Sequence, residues 1–139
     1  MGLHCMSTLD NRMVQMLKQL NGYLNHFPRS ERYGLSLQIR NSAYEVYSLV
    51  VETQKRHYKK TSLTSLDIRH EQLRMFVRLA HELGYFQFKD GSRMEVSAES
   101  TAERRYHAIS KMIDEIGRMI GGWLNSLRAK EAARKDTSN

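Results

Sequence analysis

EIGRMIGGWLNSLRAK, from Glu115 to Lys130, combines helical periodicity with three glycines and the chain's only tryptophan. A glycine inside a helix costs about 1 kcal/mol relative to alanine, so something must offset three of them. The apolar residues recur at intervals of three and four. Ile116, Ile120, Trp123, Leu124 and Leu127 share a face with Ile109, Met112 and Ile113 upstream. At about 100° per residue, Gly117 and Gly121 fall one above the other at the edge of that face, and Gly122 falls toward the back. The first two are expected to admit a neighbouring helix backbone. Gly122 has no core role on this reading, and is expected to meet a second protomer or a partner.

Upstream, Ser100 and Glu103 form a capping box that opens this fourth helix. Three more helical stripes precede it. Leu9, Met13, Met16, Leu17, Leu20, Leu24 and Phe27 give helix 1, with Ser7 and Asp10 at its start and Pro28 at its end. Leu35, Ile39, Ala43, Val46 and Val50 give helix 2, which begins near Ser30 and fades in KRHYKK (55–60). Helix 3 follows the turn-like TSLTS (61–65), with a core stripe of Leu73, Phe76, Val77, Ala80 and Leu83 and a stop at Gly84. Between helices 3 and 4, Phe86, Phe88, Met94 and Val96 alternate around Asp90-Gly91, the pattern of a short hairpin. The polar tail after Lys130 reads as disordered.

Four amphipathic helices on short links bury their faces as an all-α, antiparallel up-down-up-down four-helix bundle. The bundle is placed at residues 7–131, with flexible termini at 1–6 and 132–139. A chain of 139 residues, 40% hydrophobic with a single proline, suits one domain. The lone Cys5 cannot form an intramolecular disulfide, which points to a reducing, intracellular setting. No signal-peptide pattern opens the chain, and no segment approaches the roughly 18 apolar residues of a membrane span. Gly2 suggests myristoylation, but Met6 stands where that signal needs Ser or Thr.

The formal charge is +7, which favours polyanionic partners. Lys55, Arg56, Lys59, Lys60, Arg69, Arg74 and Arg78 face only Asp67 and Glu71 between positions 55 and 78, so most of the surplus lies in one stretch. On helix 4, Arg104, Lys111 and Arg118 are spaced by seven along the back, a line that a solvated face explains as readily as a polyanion site. Helix 3 carries a second apolar sector, Ile68, Met75 and Leu79 with Phe86 near it, beyond what a monomeric bundle needs. Self-association through these residues and Gly122 is expected.

Metal chemistry finds no support in the spacing. His70-Glu71 and His81-Glu82 begin like the helical zinc motif, but Arg74 and Tyr85 stand where the second histidine belongs. Asp67 and His70 have one half of a di-iron spacing, and the other carboxylates are missing. The glycines lie inside a helix, so they make no phosphate-cradling loop, and Cys5 has no evident base. Neither an enzyme nor a cofactor is expected.

FPRSERYGLSLQIR (27–40), LRMFVRLAHELGY (73–85) and EIGRMIGGWLNSLRAK (115–130) together resemble a four-helix-bundle family. That family includes the ribosomal-RNA intervening-sequence proteins and the accessory variability determinants (Avd) of diversity-generating retroelements. The I-G-R-M-I-G-G-W core and the LR, R and LGY of helix 3 resemble the Avd branch. The resemblance spans about residues 9–130, while segment 88–97 looks longer than the corresponding loop and 57–60 falls in a variable link. It implies a non-catalytic accessory protein, assembled as a pentameric barrel, that binds reverse transcriptase and template RNA, with DNA as a further candidate. Such proteins support error-prone copying of a template repeat into cDNA that diversifies a target gene, in the cytoplasm of a prokaryotic or phage-infected cell. The family's helix 3 arginines match Arg74 and Arg78, and its helix 4 arginine matches Arg118. A related bundle of the intervening-sequence type, with other partners, is the competing reading.

Overall fold

The computed structural model describes residues 3–91 and 97–137, which are helical and contain no strand. Four helices, α1 (Leu3–Leu24), α2 (Leu35–Lys55), α3 (Lys60–Glu82) and α4 (Ala98–Thr137), follow in order, with one 3₁₀ turn at Arg29–Glu31. Each packs on its neighbour in sequence, and α4 closes on α1. Side-chain contacts fix the directions. Asp10 meets Gln54 while Asn21 meets Arg40, so α1 and α2 are antiparallel. His81 meets Glu103, His70 meets the Ile113 carbonyl and Lys60 meets Glu131, so α3 and α4 are antiparallel too.

The stripes read from the sequence build the core. Leu9, Met13, Met16, Leu20, Ile39, Val46, Val50, Leu73, Val77, Ile109, Ile113, Ile116 and Ile120 are fully buried, and Trp123 is nearly so. Two residues exchange places: Leu83 is half-exposed, and Phe86 is completely buried. The cause is the end of α3. Gly84 has φ +81°, and the Gly84 and Tyr85 amides donate back to the His81 and Ala80 carbonyls, both at 3.0 Å. This left-handed cap turns the chain inward after Leu83 and delivers Phe86 to the core.

No hairpin forms from the described part of 86–96; Met94 and Val96 lie outside the described residues. Phe86 packs edge-on against Tyr23 and Phe27. Arg105 of α4 donates to the Phe86 carbonyl at 2.8 Å and the Phe88 carbonyl at 2.7 Å, groups a hairpin ladder would have used. Arg105 also reaches Asp90 at 2.9 Å and lies 3.8 Å from the Phe88 ring centroid.

Helix boundaries differ from the expected ones in five places. α1 starts at Leu3, ahead of the Ser7–Asp10 pair. α2 starts at Leu35, because Arg29–Glu31 forms the 3₁₀ turn and Glu31 Oε2 accepts the Leu35 N–H at 2.7 Å. TSLTS is the first turn of α3 and no link, with Ser62 and Leu63 already buried. The cap of α4 is Ser97, whose Oγ accepts the Ser100 N–H at 3.1 Å, so Ser100 and Glu103 lie inside the helix. From Ala129, AKEAARK consists mostly of strong helix formers, and helical geometry runs on to Thr137.

Candidate nucleic-acid and partner interface

α3 presents its residues in three sectors. The first faces the bundle, where His70, on the core register between Leu66 and Leu73, donates through Nε2 to the Ile113 carbonyl at 2.7 Å. His70 also explains one of the three glycines. A Cβ on Gly117 would lie 2.6 Å from His70 Cε1, so the glycine makes room for the buried ring. What approaches is a side chain rather than a helix backbone. Gly121 corrects the expectation altogether, since a Cβ there meets nothing within 4 Å, and Gly122 is equally open.

These surroundings give the two glycines opposite signs. Gly117→Ala is expected to displace His70 and cost about 1–3 kcal/mol. Gly121→Ala is expected to leave the fold unharmed or add up to about 1 kcal/mol of helix propensity. Urea denaturation of both variants checks the pair; equal shifts would show that the His70 contact is not what selects glycine.

The second sector of α3 is apolar and exposed: Ile68 at 52%, Met75 at 48% and Leu79 at 45%. α2 carries an exposed apolar line of its own, Leu37, Tyr44 and Val51, spaced by seven, with Tyr47 beside it, on the side where Tyr44 meets Asn21 of α1, a line that the sequence reading missed. Its signal was the heptad spacing outside the buried stripe.

The third sector carries the arginines. Arg74 is bidentate to Glu71 at 2.9 and 3.1 Å, and that pairing holds the Glu71 carboxyl below its ordinary range while raising Arg74. Both groups are half-exposed, so the bridge contributes only about 0–1 kcal/mol and can open to another anion. Arg78 makes no ion pair among the described residues.

The remaining candidates separate. Arg104, Lys111 and Arg118 are all on the outside of α4. Lys111 and Arg118 border open grooves between α1 and α4 that Arg12 also lines, so Arg12 joins their cationic surface. Arg12 bridges Glu115 at 3.4 Å. At the α2–α3 link, Lys55 is exposed, Arg56 pairs with Glu52 at 3.0 Å and Lys60 stands 4.0 Å from Glu131. Lys59 ends α2, because its ammonium donates to the carbonyls of Thr53, Gln54 and Arg56 at 2.7–3.1 Å.

Among the described residues, no group of three His, Cys, Asp or Glu side chains is placed to hold a metal ion, and no helix is long and apolar enough to cross a membrane.

A family model described as bAvd-like matches residues 7–127, from the first packed turns of α1 through the buried face of α4. The chain belongs to the bAvd-like family. No curated protein matches it. In this bAvd-like chain, the segments that carry the resemblance are stitched to one another. Glu31 of the first segment accepts the Tyr85 hydroxyl of the second at 3.1 Å, a bond that raises the phenol above its ordinary value. Gly117 of the third admits His70, just ahead of the second. Much of the bAvd-like pattern therefore serves helix packing, and the arginines of the third sector take no part in it.

Proposed function

We propose that the chain is a non-catalytic accessory protein of a diversity-generating retroelement. It associates with itself, as a pentamer by family resemblance, and binds reverse transcriptase and template RNA to support mutagenic cDNA synthesis. The observation that carries this reading is the bAvd-like match, joined to a cationic sector on α3 distinct from both the core and the exposed apolar sector. Ile68, Met75 and Leu79 are assigned to the contact between copies. Arg74 and Arg78, four apart on one face, are assigned to phosphates or to an acidic surface of the reverse transcriptase, for which planar guanidinium donors are well suited. Repetition around a ring would concentrate their potential and make polyanion binding strongly salt-dependent.

Co-purification with the candidate reverse transcriptase and its template RNA tests the reading. Arg74→Ala with Arg78→Ala is expected to leave helicity and oligomer size intact, weaken one or both partners, and flatten the salt dependence where phosphate is contacted. Unchanged binding of both partners would move the assignment to Arg12, Arg104, Lys111 and Arg118.

A further inference from the structure

At the corner between α1 and α2, a cavity of about 310 Å³ opens among Asn25, Arg29, Arg32, Ser36 and Arg40. It sits at the N-terminal end of α2, the positive end of a 21-residue helix dipole. Three arginines line it, and none forms an ion pair among the described residues. Arg40 is steered by neutral oxygens, donating to Asn21 Oδ1 at 2.8 Å and Asn25 Oδ1 at 3.2 Å. Arg32 lies 5.6 Å from the Tyr33 ring centroid. The carboxylate nearest in sequence, Glu31, is occupied by the Leu35 amide and the Tyr85 hydroxyl.

Ser36 supplies the second, independent observation. It lines the cavity, is only 4% exposed, and its hydroxyl has no hydrogen-bond partner. A buried hydroxyl without a partner is costly, and such groups in folded proteins are normally satisfied by protein, water or ligand. Three cations without an ion pair and an orphaned hydroxyl call for the same component, a compact group rich in acceptor oxygens.

The geometry points to a phosphate-binding site in this cavity, with Arg29, Arg32 and Arg40 supplying charge and Ser36 Oγ donating to a phosphate oxygen. Arginine favours this ligand because its planar fork matches two phosphate oxygens at once. The phosphate belongs either to a polynucleotide backbone or to free inorganic phosphate. The site stands apart from Arg74 and Arg78, so its failure would leave the accessory-protein reading intact.

Calorimetric titration of the full chain with inorganic phosphate, and separately with a single-stranded RNA oligonucleotide lacking terminal phosphates, tests the site. Ser36→Ala removes an unsatisfied hydroxyl and is expected to fold at least as well as the parent. Arg29→Ala removes a side chain with no ion pair among the described residues. Each is expected to weaken binding about tenfold, the range of a hydrogen bond to a charged group. Lys130→Ala, at the opposite end of the bundle where α4 meets the start of α3, serves as a control that leaves affinity unchanged. Weakened RNA binding together with displacement by phosphate identifies the backbone as the source, and weakened phosphate binding alone identifies the free ion. Binding that is absent in both arms, indifferent to Ser36 and Arg29, or equally reduced by Lys130→Ala would overturn the proposal.

Discussion

Arg105→Ala is expected to destabilise the fold by about 2–4 kcal/mol, because it leaves two carbonyls without their donor at a cost of about 1–3 kcal/mol each when buried. The Arg105 side chain is 8% exposed and makes three hydrogen bonds, two of them to the main chain of Phe86 and Phe88. Alanine would leave both carbonyls without this donor and remove the stacked cation from the Phe88 ring. The 86–90 segment would then lose the anchor that keeps Phe86 in the core, although Phe86 packing alone would resist release. Arg105→Lys is expected to recover only part of the loss, because an ammonium cannot span the same acceptors as a fork. Chemical denaturation followed by circular dichroism measures both. A loss below about 1 kcal/mol for alanine would mean that the aromatic cluster holds the segment unaided.

Met75→Glu or Leu79→Glu is expected to turn the assembly into monomers at micromolar concentration while the helical signal persists. Each side chain is about half-exposed in the single chain, so a carboxylate can reach water without disturbing the bundle. In an assembly the same position is covered, and burying a Leu or Met there contributes about 1.5–3 kcal/mol at every copy of the interface. A charge in its place must be desolvated at each contact. Light scattering decides the matter: a parent protein of 16.3 kDa in solution would remove the self-association, and a variant that keeps the parent mass would move the contact elsewhere. Loss of helical signal would instead place these residues in the core.

The helices were legible because their stripes are local. Spacings of three and four require only neighbours in sequence, and every residue assigned to a stripe except Leu83 is buried or partly buried against the core. What lay beyond reach depends on partners far along the chain. The inward turn of Phe86 needs the Gly84 cap and the Arg105 donors 19 and 17 residues away, which outweigh the hairpin pattern of alternating apolar residues. A trace of Arg105 was present, since it occupies the stripe position between Ala102 and Ile109, a charge on core register. His70 sits on register in the same way. The helical wheel placed Gly121 at the correct angle but carried no information about how far the neighbouring helix stands at that height. The arginine assignments, and every contact between chains, rest on partners that a single sequence does not describe.

The ring-like order of the four helices also bears on how the chain organises itself. Three of its seams join helices consecutive in sequence, and α2 meets α3 across only the link 56–59. Such neighbours close short loops, and loop-closure entropy rises only slowly with length. The α1–α4 seam is different in kind, since its Arg12–Glu115 bridge joins residues about a hundred positions apart. Consecutive pairing can proceed hairpin by hairpin at low contact order, leaving this single long-range closure to complete the cylinder. On this order the α1–α4 seam closes last, and the cations Arg12, Lys111 and Arg118 line the grooves along it.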